Sequence, residues 1–136
     1  MNNVERGAIF RSAYKRAQRA IKAGFYLEAI VLCESLLLDR LSVIHISNLE
    51  MDIRRASAGT LANSLRSEKV ESFDEGLWQD CLDWTANRNK HAHHMANISD
   101  ASPTKWRVRI REAKAVAEAG FALVNRVTKE SKQHKL

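Results

Sequence analysis

The sequence contains little proline, glycine and cysteine, and each shortage argues for or against a class of protein. Its 136 residues include one proline, five glycines and two cysteines. Few helix breakers allow long helices, and two cysteines are too few for the disulfide framework of a small secreted protein. No hydrophobic run is long enough to cross a membrane as a helix, and the first residues lack the apolar core of a signal peptide. We therefore expect a cytoplasmic protein with no membrane partner.

Apolar residues at helical spacing are abundant and form the dominant pattern of the sequence. They recur at intervals of three and four residues over several long segments, which leaves little room for strands. We predict an all-α, antiparallel helical bundle of four to five helices. The expected helices cover about 4–23 and 25–46, a short stretch near 58–65, a segment capped by Ser72 or Asp74, and a last segment after a turn at 97–104. They form a single domain over residues 1–130, followed by a frayed tail over 131–136.

The tryptophans and cysteines are expected inside this bundle. Trp78, Trp84 and Trp106 lie at helical spacing beside leucine and alanine, which favours a role in the core over stacking on nucleobases. Cys33 and Cys81 lie in apolar helical segments and lack the spacing of metal ligands, which is typical of buried thiols in a reducing compartment. We expect no metal and no cofactor.

The net charge favours an anionic partner. The chain carries a formal charge of +6 and has a pI near 9.6, and clustered cations release counterions when they bind a phosphate backbone. Arg107, Arg109 and Arg111 crowd the start of the last predicted helix, and Lys90 lies near the end of the helix before it. These side chains are candidate RNA contacts, although a basic run of this kind is more often a solvated helix face.

The most informative segment is residues 88–94, which combines an arginine, an asparagine, a lysine and three histidines. Arg88 continues the apolar stripe that includes Trp84, so its guanidinium should point toward the packed side of the helix and needs a partner there. Glu34 interrupts the apolar stripe of the second helix in the same way. We therefore expect Glu34 and Arg88 to meet inside the bundle, with Glu34 holding the guanidinium in place.

Arg88, Asn89 and His93 form the pattern R-N-x-x-x-H, which resembles the signature of the HEPN superfamily of helical ribonucleases and nucleotide-binding domains. The segment 24–29, at the start of the second helix, also resembles that family. The resemblance implies that Arg88 and His93 are catalytic and that Asn89 orients the phosphate or the ring. It also implies a homodimer in which two protomers bring their motifs into one cleft, and an antitoxin or sensor protein as a further partner.

The resemblance therefore implies a metal-independent endoribonuclease, a toxin or phage-defence effector that cleaves RNA through attack of the 2′-hydroxyl. Imidazole and guanidinium can supply the acid, the base and the positive charge that this reaction needs. His94 is the alternative to His93, and His91 is expected to help bind phosphate. The alternative function is a non-catalytic nucleotide-binding, RNA-binding or protein-interaction module of the same fold, with the cluster serving as a polar helix end.

Overall fold

A computed structural model describes residues 2–49 and 56–134, and every regular element in that part of the chain is helical. The elements are α1 (Asn3–Ala23), α2 (Tyr26–Leu49), α3 (Ala58–Ser67), α4 (Leu77–Ala96), a 3₁₀ turn (Ile98–Asp100) and α5 (Pro103–Gln133). The all-α prediction is confirmed, and the bounds differ from the sequence-based ones by a few residues. No described helix is long and apolar enough to cross a membrane.

Local sequence explains where most of these helices begin and end. Gly24 ends α1 in the left-handed conformation, with φ of 84°, and its N–H bonds to the last carbonyl groups of that helix. Ser57 caps α3, and Ser102 caps α5 just before Pro103, the residue type that best tolerates the first helical position.

The start of α4 differs from the prediction. The helix begins after Gly76, which has φ of 74°, and neither Ser72 nor Asp74 caps it. The backbone N–H groups of Phe73 and Asp74 instead donate to the carboxylate of Glu130, at 3.1 and 2.8 Å. A buried side chain near the end of α5 thus holds the segment before α4, and sequence alone does not show this contact.

The direction of the helices refines the predicted antiparallel bundle. The helix pairs α1/α2, α3/α4 and α4/α5 run antiparallel, whereas α2 and α5 run parallel. Near the start of α2, Cys33 Sγ lies 4.0 Å from the carbonyl oxygen of Ala117, and near its end Asn48 Nδ2 lies 2.9 Å from His134 Nδ1. Because the two helices are in this register, the first turns of α5 extend beyond the start of α2.

This register explains why one tryptophan lies outside the core. Trp78 and Trp84 are buried as predicted, but Trp106 is 38% exposed. The prediction that Trp106 belongs to the core is wrong, because the turn of α5 that carries it projects past the beginning of α2. Trp84, in contrast, donates through Nε1 to the carbonyl oxygen of Val116 at 3.0 Å and packs on Gly120 of α5.

The predicted frayed tail is also corrected, because α5 continues to Gln133. Glu130 and Ser131 are buried, and His134 Nε2 lies 2.7 Å from Glu130 Oε2. These contacts hold the end of α5 against the end of α2 and the segment before α4. Residues 135 and 136 of the predicted tail lie outside the described residues.

Candidate functional site

Arg88 lies on the inner side of α4, where it meets Glu34 of α2. The Nε atom of Arg88 is 3.8 Å from Oε2 of Glu34, and the two side chains are 30% and 19% exposed. The predicted contact between these residues is confirmed. Arg88 also donates through Nη1 to Oδ1 of the neighbouring Asn89, at 2.9 Å. The guanidinium is therefore held from two sides at a half-buried position.

The contact between Glu34 and Arg88 is electrostatic, since 3.8 Å is too long for a hydrogen bond. Oε2 of Glu34 is buried and has no hydrogen-bond partner within residues 2–49 and 56–134. The carboxylate thus holds the arginine by charge, without a bidentate bridge that would occupy its N–H donors. A partly exposed guanidinium with donors to spare is suited to receive an anionic group such as a phosphate.

His93, the other residue of the motif, lies on a different side of α4. Five residues separate it from Arg88, which corresponds to a rotation of about 140° around the helix axis. His93 is exposed, and the structure gives it no hydrogen bond or ion pair within the described ranges. A single protomer therefore does not bring Arg88 and His93 to one point, although the sequence pattern assigns both to the same reaction.

His91 faces α5, away from His93. It is 5% exposed, and its Nδ1 atom lies 3.7 Å from Oε2 of Glu112. Neither ring nitrogen has a hydrogen-bond partner among the residues described. His91 lines a pocket of about 270 Å³ between α4 and α5. The residues around this pocket are Asn87, Lys90, His91, His94, Glu112, Ala115 and Val116.

The three arginines of α5 occupy different environments. Arg107 and Arg111 are exposed, as expected for candidate RNA contacts. Arg109 is 8% exposed and donates through Nη1 to the carbonyl oxygen of Asn97 at 2.9 Å, and its Nη2 lies 3.7 Å from Asp100. Arg109 therefore fastens the connector between α4 and α5, which leaves it less able to bind RNA than its neighbours.

The cysteines lie in the core as predicted. Cys33 and Cys81 are both buried, and burial raises the pKa of each thiol to about 12. The thiolate is the nucleophilic form, so neither side chain is activated near neutral pH. In the part of the chain that the structure describes, no group of three histidine, cysteine or acidic side chains is placed to hold a metal ion.

Comparisons with protein-family models, with curated proteins and with solved structures found no match to this chain. A function is therefore proposed from the sequence pattern and from the arrangement of the chain's own side chains.

Glu112 is the residue that sequence reasoning missed. One signal was available, because Glu112 is the first acidic residue after the basic run that contains Arg107, Arg109 and Arg111. Its position opposite His91 depends on how α4 and α5 pack, and helical spacing within one segment does not reveal that.

Proposed function

We propose that this protein is a metal-independent endoribonuclease of the HEPN type and that it acts as a homodimer. The observation that carries the proposal is the pair formed by Arg88 and Glu34, which fixes a half-buried guanidinium beside Asn89 in an all-helical bundle. The R-N-x-x-x-H pattern adds an exposed histidine, His93, on the same helical segment. The exposed cations Lys90, Arg107 and Arg111 supply positive charge for binding RNA.

In the proposed reaction, the 2′-hydroxyl of a ribose attacks the adjacent phosphorus and the 5′-oxygen of the next nucleotide leaves. The products are a 2′,3′-cyclic phosphate and a free 5′-hydroxyl. The imidazole of His93 takes the proton from the 2′-hydroxyl and, once protonated, gives a proton to the leaving 5′-oxygen. Arg88 stabilises the negative charge that gathers on the phosphorane oxygens. Asn89 orients the phosphate, and Glu34 positions the guanidinium.

The geometry of α4 supports a site that two protomers share. Arg88 and His93 point about 140° apart on one helix, whereas a second copy related by a two-fold axis can offer its His93 to the Arg88 of the first. Trp106 and Ile110, which are 38% and 37% exposed, lie on the turns of α5 that extend past α2, where they can contribute apolar contact area.

The test of the enzyme is incubation of the purified protein with total cellular RNA and tRNA in excess EDTA. The parent should cleave and leave 2′,3′-cyclic phosphate ends, and R88A and H93A should not, while both variants keep the helical fold and the dimer. H94A tests the alternative histidine, since His94 is also exposed and lies next to His93, and it should cleave like the parent. Equal cleavage by H93A and the parent would refute the proposed role of His93.

The test of the shared site is complementation between inactive variants. If Arg88 acts with the partner's histidine, mixed dimers of R88A and H93A contain one intact site of two. An equimolar mixture should then recover about a quarter of the parent activity, since half of the dimers are mixed. If one protomer supplied both residues, the mixture would stay inactive.

We further propose that the protein is a toxin or phage-defence effector, that it acts in the cytoplasm, and that an antitoxin or sensor protein controls it.

The second candidate function is a non-catalytic RNA-binding module. It is favoured by one observation, the exposed His93 that no described side chain orients. Under that function the parent binds RNA without cutting it, and H93A binds equally well.

A further inference from the structure

The pocket beside His91 is separate from the contact between Arg88 and Glu34 and has a composition of its own. His91 is 95% buried, since its exposed fraction is 5%, yet both ring nitrogens lack a hydrogen-bond partner among the residues described. Leaving a buried polar group unpaired costs about 1 to 3 kcal/mol. Such an unpaired group calls for an explanation, and a ligand that enters the pocket when the half-exposed Glu112 side chain turns away from Nδ1 would supply one.

The groups around His91 provide donors and acceptors together. A neutral imidazole has one N–H donor and one acceptor nitrogen. Lys90 adds an ammonium donor, and Glu112, whose side chain is 50% exposed and therefore free to turn, adds two carboxylate oxygens. Asn87 adds an amide at the rim, and Ala115 and Val116 form an apolar wall.

This composition argues against a phosphate as the occupant. The carboxylate of Glu112 lies 3.7 Å from His91 Nδ1 and would repel an anion bound to that ring. The formal charges of Lys90 and Glu112 cancel, so the pocket offers no net positive charge when the histidines are neutral. A nucleobase, in contrast, is uncharged and presents donors and acceptors side by side on one edge.

Guanine is the base whose edge fits these groups most fully. Its N1–H and N2 amino groups can donate to the two oxygens of Glu112, and its O6 can accept from the imidazole of His91 or the ammonium of Lys90. The volume of about 270 Å³ lies just below the range of pockets for drug-sized ligands, about 300 to 1,000 Å³, and suits one base.

We propose that the pocket between α4 and α5 binds a guanine base of a single-stranded RNA, with Glu112 and His91 reading its edge. This inference rests on the proposed function only in taking RNA as the source of the base. Because His91 lies one turn beyond Arg88 on α4, the bound guanine would belong to a nucleotide near the scissile phosphate. The pocket would thereby set a sequence preference for cleavage.

The first test measures binding of the four nucleoside monophosphates and of ribose 5-phosphate by calorimetry. We expect GMP to bind about tenfold or more tightly than ribose 5-phosphate or the other nucleotides. E112Q and H91F should each weaken GMP binding by about tenfold or more for the same reason. E118Q is the matched control, because Glu118 lies on the same helix, is similarly exposed at 52% and carries the same charge. It should bind GMP like the parent.

Whether E112Q weakens or strengthens ligand binding distinguishes a guanine ligand from a phosphate ligand. If the pocket held a phosphate, removing the carboxylate would strengthen binding, and ribose 5-phosphate would compete as well as GMP. Either result would overturn the guanine assignment, and so would a folded parent that binds no nucleotide. E112Q changes a half-exposed residue, so this arm does not depend on whether H91F folds.

A second test separates this inference from the proposed enzyme. H93A, which is expected not to cut RNA, is titrated with two kinds of short single-stranded RNA. They are identical except that one has guanine at the central position and the other has a different base there. Tighter binding of the guanine-containing strand would support the pocket even if the parent cleaves nothing. Binding of GMP with no preference among the strands would overturn the assignment to RNA. Cleavage by the parent without any guanine preference would support the proposed ribonuclease activity and overturn the proposal that the pocket selects guanine.

Discussion

Replacement of Gly120 by alanine should destabilise the protein, although alanine is the better helix former. A Cβ atom at position 120 would lie 2.6 Å from Cζ2 and 2.9 Å from Cε2 of Trp84, closer than carbon atoms can approach. The indole cannot easily move away from the added Cβ atom, because it is buried and donates to the carbonyl oxygen of Val116 at 3.0 Å. Either the indole loses that bond or α4 moves away from α5.

The expected size follows from three contributions. Overpacking a core costs about 1 to 3 kcal/mol, a strained or lost hydrogen bond about 1 kcal/mol, and alanine recovers about 1 kcal/mol of helix propensity. We therefore expect G120A to lower the free energy of unfolding by about 1 to 3 kcal/mol. Urea unfolding followed by tryptophan fluorescence and by circular dichroism measures this quantity.

G7A is the matched control, because Gly7 is also helical and a Cβ there meets only the flexible end of Arg11, at 3.2 Å. It should leave stability unchanged or raise it by up to about 1 kcal/mol. If G120A were as stable as G7A, the close packing of Trp84 on α5 would be refuted. The position of Arg88, one turn beyond Trp84, would then need another explanation.

Three further predictions concern charge and thiol chemistry. E34Q should lower RNA cleavage by about tenfold or more while changing the free energy of unfolding by less than about 1 kcal/mol; a variant with no folded fraction would instead make Glu34 a structural partner. A thiol reagent at about pH 8 should label neither Cys33 nor Cys81 before denaturation, since burial raises both pKa values to about 12, and fast labelling of the native protein would contradict this. The hydrogen bond from Arg126 lowers the pKa of Asp74 below its ordinary value of 3.8, so its stabilising effect is present above that pH and is lost as the pH falls through the folded-state pKa. D74N should therefore weaken the fall in unfolding free energy between about pH 5 and about pH 2, and an identical pH profile in parent and variant would disprove that role.

Features that follow from the spacing of residues within one helix were predictable from the sequence. The apolar stripes identified the long helices, and Arg88 and Glu34 stood out because each interrupts such a stripe. Two buried or half-buried charges in one small bundle tend to pair, since an unpaired charge there is costly. That pairing rule predicts the contact between α2 and α4, whose residues Glu34 and Arg88 are 54 positions apart in the chain.

Features that depend on the relative position of two helices were not predictable. Trp106 and Arg109 both lie on predicted faces of α5, but their burial is decided by where α2 begins and by where the connector carbonyl of Asn97 lies. The predicted cap of α4 was wrong because the helix begins after Gly76, and the N–H groups of Phe73 and Asp74 in the segment before it donate to Glu130 near the end of α5. Helical spacing gives the direction of a side chain and does not give the distance to the next helix.

The end of α4 directs three functional groups to three sides of one helix. Arg88 faces inward to Glu34, His91 faces α5 and Glu112, and His93 faces solvent. Residues on separate sides cannot act on the same atom within one protomer, so under the proposed function cleavage needs a second surface to bring His93 to the phosphate. The pocket at His91 needs no such partner. Changes at Arg88 or Glu34 should therefore alter the rate of cleavage, whereas changes at His91 or Glu112 should alter the choice of nucleotide, and the two effects should be separable in single variants.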